Sequence, residues 1–150
     1  MEQKTIQLIS EYVLLSIENL LPHEEISIEK ALEISQYLSK IKKYNLKPIL
    51  IDKKTGLILD GHHRFEALKN LQVKRIPCVS CDYFKPAFIT YENKINGPVL
   101  EKEVILKRAQ SKNFYQSKQT CNCFLSSPEA TPIHVSKLIN NIDLELRELF

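Results

Sequence analysis

No stretch of the chain is long and apolar enough to cross a bilayer, and none carries the apolar core of a signal peptide. The start, with Glu2 and Lys4 among polar residues, reads as cytoplasmic. There is no internal repeat and no low-complexity segment, so 150 residues amount to one domain with room for a small appendage. A large charge excess is missing too: a formal +3 gives no argument for nucleic acid as a partner. The four cysteines are Cys78 and Cys81 in a C-x-x-C, and Cys121 and Cys123 in a C-x-C. Together they have the makings of a four-thiolate zinc site. Residues 75–81 read as a strand, however, and residues three apart on a strand face opposite sides. A redox C-x-x-C normally opens a helix, which this one does not. Reduced, structural thiols are expected, as in a cytoplasmic protein. What is present is an ordinary globular composition, 43% hydrophobic and 26% charged, sufficient for a core.

One stretch organises the rest, residues 55–71 (TGLILDGHHRFEALKNL). Leu57, Ile58 and Leu59 form a short apolar run after the turn signal Lys54-Thr55-Gly56, and read as a strand. Asp60-Gly61 breaks it, since Gly61 can take backbone angles that other residues resist. From His62 the period becomes helical, with Phe65, Leu68 and Leu71 on one face. A helix that starts directly after a strand presents unpaired N–H groups and a partial positive charge. His62, His63 and Arg64 in that first turn add to the field, which suits an anion and a phosphate above all. Asp60 is the odd member. A carboxylate there holds a divalent cation, orients a histidine or arginine, or simply caps the helix.

Elsewhere the chain alternates strands and helices, which indicates an α/β fold. Residues 1–11 read as a short helix or a loose end, and residues 12–17 as a first strand. Pro22-His23-Glu24-Glu25 forms a loop ahead of a helix over residues 27–43, capped by Ser27, with Ile28, Ala31, Leu32, Ile34, Tyr37, Leu38 and Ile41 as its apolar stripe. Residues 47–52 and 73–81 are strands, 88–91 a short strand and 101–109 an amphipathic helix. Residues 136–150 read as a helix, with Leu138, Ile139, Ile142, Leu144, Leu146 and Leu149 available to cover the core or serve a homodimer. Glu24 and Glu25, ahead of a helix, are either dipole partners or a proton acceptor.

The run Gly56-Leu57-Ile58-Leu59-Asp60-Gly61-His62-His63-Arg64, followed by Ala67-Leu68, resembles the phosphate-binding motif of the ParB/sulfiredoxin-like superfamily. With Pro22-His23-Glu24-Glu25 upstream it looks most like the free L-serine kinase branch, whose members make O-phospho-L-serine from L-serine with ADP or ATP as donor. The resemblance covers about residues 12–85. It implies a small mixed sheet with flanking helices over residues 1–90 as the nucleotide-binding domain, and a small, mostly helical C-terminal part over 91–150 for substrate binding and packing.

The resemblance also implies roles. Gly61, His62, His63 and Arg64 would cradle the donor phosphates, and Asp60 would support Mg2+ or the phosphate-binding residues. Glu24 would take the serine proton, with Glu25 as substitute and His23 beside the substrate. Family members carry a Pro-Pro-Lys-x-Thr-like segment that helps bind serine. Residues 115–120 (YQSKQT) occupy that place; they keep Lys118 and Thr120 but lack the prolines, and Cys121-Asn122 replaces the Arg-His that often comes next. A regulatory nucleotide-binding module of the ParB kind is the alternative, though no helix-turn-helix accompanies the motif. Sulfiredoxin chemistry is excluded, because its nucleophilic cysteine corresponds to His62.

Overall fold

The strands sort their apolar side chains to two faces, and the whole architecture derives from that sorting. The computed structural model describes residues 9–150, so the expectation for residues 1–11 falls mostly outside the described residues. In order come β1 (Val13–Ser16), α1 (Ile28–Ser39), β2 (Lys43–Leu46), β3 (Ile49–Asp52), β4 (Ile58–Asp60), α2 (His62–Asn70) and β5 (Arg75–Cys81). Then come β6 (Phe88–Glu92), β7 (Val99–Leu100), α3 (Lys102–Gln110), β8 (Thr120–Phe124), β9 (Ile133–His134) and β10 (Ile142–Glu145). Short 3-10 turns cover Ile17–Asn19, Val135–Leu138 and Leu146–Leu149. Among the described residues no helix is long and apolar enough to cross a membrane.

The central sheet has the order β1-β5-β3-β4, with β3 and β5 parallel and the other pairs antiparallel. β3 and β4 pair directly, and α2 then carries the chain back over β3 so that β5 runs beside it. On one face Ile49, Ile51, Ile58, Ile76 and Cys78 pack with Leu38 of α1, Phe65 and Leu68 of α2, and Leu144 and Leu149. On the other, Leu50, Leu57, Leu59, Val79 and Cys81 pack with Phe88, Phe124, Ile105 and Ala109. That is the period of two at work, and each fully buried Leu or Ile contributes about 1.5–3 kcal/mol. Cys78 and Cys81 fall in different cores, as the strand spacing requires. A second antiparallel sheet, β7-β6-β8-β9, closes the second core together with α3.

The α/β class and the fold of a small mixed sheet with flanking helices are as expected. Three local readings need correction. The helix expected over 27–43 ends at Ser39, because Lys43–Leu46 instead pairs antiparallel with Ile142–Glu145. Residues 136–150 are not a helix but two 3-10 turns around β10. The part beyond residue 90 is therefore mostly strand and turn, with α3 its single α-helix. Thr120–Phe124, to which the sequence reading assigned no element, is a strand in the interior of the second sheet.

The loop that carries Glu24 is tied to β4. Leu21 N–H donates to the Gly56 carbonyl at 2.9 Å, and Ile58 N–H to the Leu21 carbonyl at 2.9 Å. Gly56 has φ +76°, and a Cβ there would lie 2.0 Å from the Asn19 carbonyl oxygen. Neither backbone can yield cheaply. Gly56→Ala is expected to lower stability by more than about 2 kcal/mol, combining left-handed strain with that clash. A urea midpoint equal to that of the wild type would contradict this reading of the turn.

Candidate active site

Gly61 sits at the N-cap of α2 with φ +106°, which turns the chain from β4 into the helix within one residue. The N–H groups of His62, His63 and Arg64 consequently have no partner within the helix and face outward at its positive end. Arg64 is fixed by its guanidinium, which donates to Asp60 Oδ2 at 3.2 Å and to the Pro48 carbonyl at 3.3 Å. Among the described residues its Nε is buried without a partner. Of the roles open to Asp60, the one the geometry displays is orienting arginine. Gly61 has a second reason to be glycine: a Cβ would stand 2.8 Å from an Arg64 nitrogen and displace it.

Glu24 is held from the far end of the chain. The Lys118 N–H donates to its Oε1 at 2.6 Å. The Thr120 hydroxyl and N–H donate to its Oε2 at 2.6 Å and 3.3 Å. The two segments run together: Tyr115 N–H donates to the His23 carbonyl at 2.9 Å and Glu25 N–H to the Tyr115 carbonyl at 2.7 Å. Arg108 of α3 shapes the incoming segment, bonding the Asn113 and Phe114 carbonyls while its guanidinium stacks 3.7 Å from the Tyr115 ring centroid.

The three site histidines act as uncharged groups. His23 has no exposed surface and lies edge-on to His62 at 4.7 Å between centroids. It does not line the cavity over α2, and its Nε2 lies 3.3 Å from the Thr120 hydroxyl. Burial pushes its pKa down to about 4, the Ile58 backbone offsetting part of the effect. His62 Nε2 accepts from the His23 N–H at 3.2 Å, and His63 Nε2 from the Ser27 N–H at 3.0 Å. Burial first, then His23, His63 and Arg64, hold the His62 pKa well below its ordinary value. His63 is lowered by burial and by Lys30 and Lys118. The cationic field expected from two imidazoles is thus carried by Arg64 and the helix N-terminus, while the imidazoles pin neighbouring backbone.

Stability depends on pH through His23. The unfolded chain protonates this residue near pH 6.5, the folded chain only near 4. Protons therefore favour unfolding between those values; stability is full above the window and falls as pH drops through it. The contribution of His23 alone is about 3 kcal/mol. Urea denaturation at pH 7 and pH 4.5 should show a smaller loss in His23→Gln than in the wild type. Equal losses would contradict the assignment.

A cavity of about 370 Å3 opens over the start of α2, lined by Asp60, Gly61, His62, His63, Arg64, Glu24, Lys118 and Thr120. All the sequence-derived site residues except His23 and the substitute Glu25 line one space. Asn93, Cys121, Asn122 and His134 line it as well; Asn93 and His134 carried no sequence signal, and Cys121-Asn122 stood out only as the replacement for the family's Arg-His. Asn122 is a strut: its amide donates to the Leu59 carbonyl at 2.8 Å and its Oδ1 accepts from Thr90 at 2.6 Å, joining the second sheet to β4. Lys118 lowers the pKa of neighbouring Lys30.

No family model matches the chain. It is 30% identical over 118 residues to an ATP-dependent L-serine kinase from Staphylothermus marinus, covering 69% of this chain and 46% of that protein. It is 36% identical over 80 residues to an ADP-dependent L-serine kinase from Thermococcus kodakarensis, covering 49% and 32%. The matched part thus spans less than half the length of these curated relatives. Among solved structures, a free serine kinase in complex with AMP superposes with a TM-score of 0.71 at 17% identity, over 93% of this chain and 94% of that one. The fold is shared with that enzyme, and the sequence is similar to L-serine kinases.

Proposed function

We propose that the chain transfers the terminal phosphoryl group of ADP or ATP to the hydroxyl of free L-serine, giving O-phospho-L-serine. The observation that carries this is the placement of the Glu24 carboxylate in the same cavity as Arg64 and the α2 N-terminus. A proton acceptor and a phosphate cradle facing one space are what in-line phosphoryl transfer requires, since the protein's work is positioning and charge neutralisation.

The N–H groups of His62, His63 and Arg64 and the Arg64 guanidinium hold the donor phosphates, and Gly61 lets them approach. Serine lies between the donor and Glu24, its carboxylate drawn to Lys118. Glu24 accepts the hydroxyl proton as the oxygen attacks phosphorus. Magnesium suits the site. It needs only one or two carboxylates beside phosphate oxygens and waters, and Arg64 takes only Oδ2 of Asp60. Asp60 would hold it, and when bound the ion neutralises charge on the transferring group.

The test is ³¹P NMR of the protein with magnesium and L-serine, run in parallel with ADP, ATP, GTP and CTP. A phosphomonoester resonance that requires both serine and one of these donors is expected. Donor binding with no transfer to serine would sink the proposal.

A further inference from the structure

We infer that Thr120 is a positioning residue for Glu24 and not a hydrogen-bond donor to the acceptor; the inference rests on the kinase reading above. The Thr120 hydroxyl has one proton, and it goes to Glu24 Oε2 at 2.6 Å. Toward His23 Nε2, 3.3 Å away, the hydroxyl therefore presents a lone pair. That fixes His23 as the neutral tautomer with its proton on Nε2. Among the described residues its Nδ1 is buried without a hydrogen-bond partner. The ring is fully buried, so no solvent competes for the bond. A chain runs from imidazole to hydroxyl to carboxylate, and it leaves the hydroxyl no proton for a substrate.

The backbone completes the arrangement. Lys118 has φ +62°, a left-handed conformation that non-glycine residues seldom adopt. This bend turns the Lys118 and Thr120 N–H groups toward the same carboxylate. Asn93 braces it from outside, its side chain donating to the Lys118 carbonyl at 2.8 Å and its N–H to the Gln119 carbonyl at 2.7 Å. Counting lone pairs then identifies the reacting atom. Oε2 receives two donors and is full; Oε1 receives one, from Lys118, and keeps one lone pair. In the transfer step the acceptor O–H bond breaks with its proton passing to Oε1, the O–P bond forms, and the P–O bond to the nucleotide breaks. The leaving oxygen keeps the electron pair.

The experiment compares wild type, Thr120→Val and Thr120→Ser. Thr120→Val should lower kcat about 10- to 100-fold, the size of one charge-assisted hydrogen bond, with KM for serine little changed. Thr120→Ser, which keeps the hydroxyl, should restore most of the turnover. Long-range ¹H–¹⁵N spectra, which need no turnover, should show His23 protonated on Nε2 in wild type and Thr120→Ser and a displaced Nε2 signal in Thr120→Val. An unchanged kcat with a raised KM for serine would make Thr120 a substrate contact and overturn the inference. So would a His23 protonated on Nδ1 in the wild type. Absence of product from the wild type with every donor strikes the kinase reading itself, and the inference with it, before any variant is compared.

Discussion

Glu24→Ala is expected to reduce phosphoserine formation by about 10²- to 10⁴-fold, the range of a positioned general base, while donor affinity stays within about threefold of wild type. The separation comes from the layout. Glu24 belongs to the loop between β1 and α1, and its partners are Lys118 and Thr120. The phosphate cradle is built independently by the β4–α2 turn, with Arg64 tied to Asp60 and Pro48. Removing the carboxylate frees the Lys118 and Thr120 donors but leaves that turn intact. Glu24→Gln tests the same point with less disturbance, since the amide oxygen can still accept one of those bonds while the group no longer takes a proton. Steady-state rates with calorimetric donor affinities decide the matter. A variant that keeps a tenth of the activity would place the base elsewhere.

Arg64→Ala is expected to weaken donor binding about 10- to 100-fold, as for a lost charge-assisted pair of hydrogen bonds to phosphate. Arg64→Lys should recover little, because an ammonium cannot hold Asp60, the Pro48 carbonyl and a phosphate with one planar fork. The loss should appear equally with donor analogues that cannot react, which separates it from the effect at Glu24. Circular dichroism must show the variant folded, since Asp60 loses its partner. Donor affinity unchanged in folded Arg64→Ala would remove arginine from the phosphate site.

Legibility from sequence varied with how local the governing interaction is. The β4–α2 junction was readable because the apolar period changes from two to nearly four within a few residues around Gly61, and Gly61 itself marks the turn. Ser27 was readable as a cap, and its hydroxyl does accept the Lys30 N–H at 3.2 Å. The end of α1 was not, because Ile41 extends the apolar stripe past Ser39 into a segment that the sheet partner β10 claims. In residues 136–150 the apolar positions 138, 142, 146 and 149 imitate a helical face, yet 142, 144 and 146 fit a strand equally well. Pairing with β2 selects the strand. β8 was hidden for a different reason: its half-buried Thr120 and buried Asn122 are polar, satisfied by Glu24, Thr90 and the Leu59 carbonyl, so no hydrophobic alternation announces it. The same long-range pairing explains the site. Arg64 and Asp60 are four residues apart and could be matched by spacing; Glu24 and Thr120 are 96 apart, and only the family resemblance put them at one site.

The most direct measurement uses L-serine labelled with ¹⁸O in its hydroxyl, incubated with donor, magnesium and protein, and followed by mass spectrometry. Attack of the serine oxygen on phosphorus, with Glu24 taking its proton, requires that phosphoserine form and keep the label in the bridging position. Phosphoserine without the label, or donor bound and serine recovered unchanged, would contradict the account.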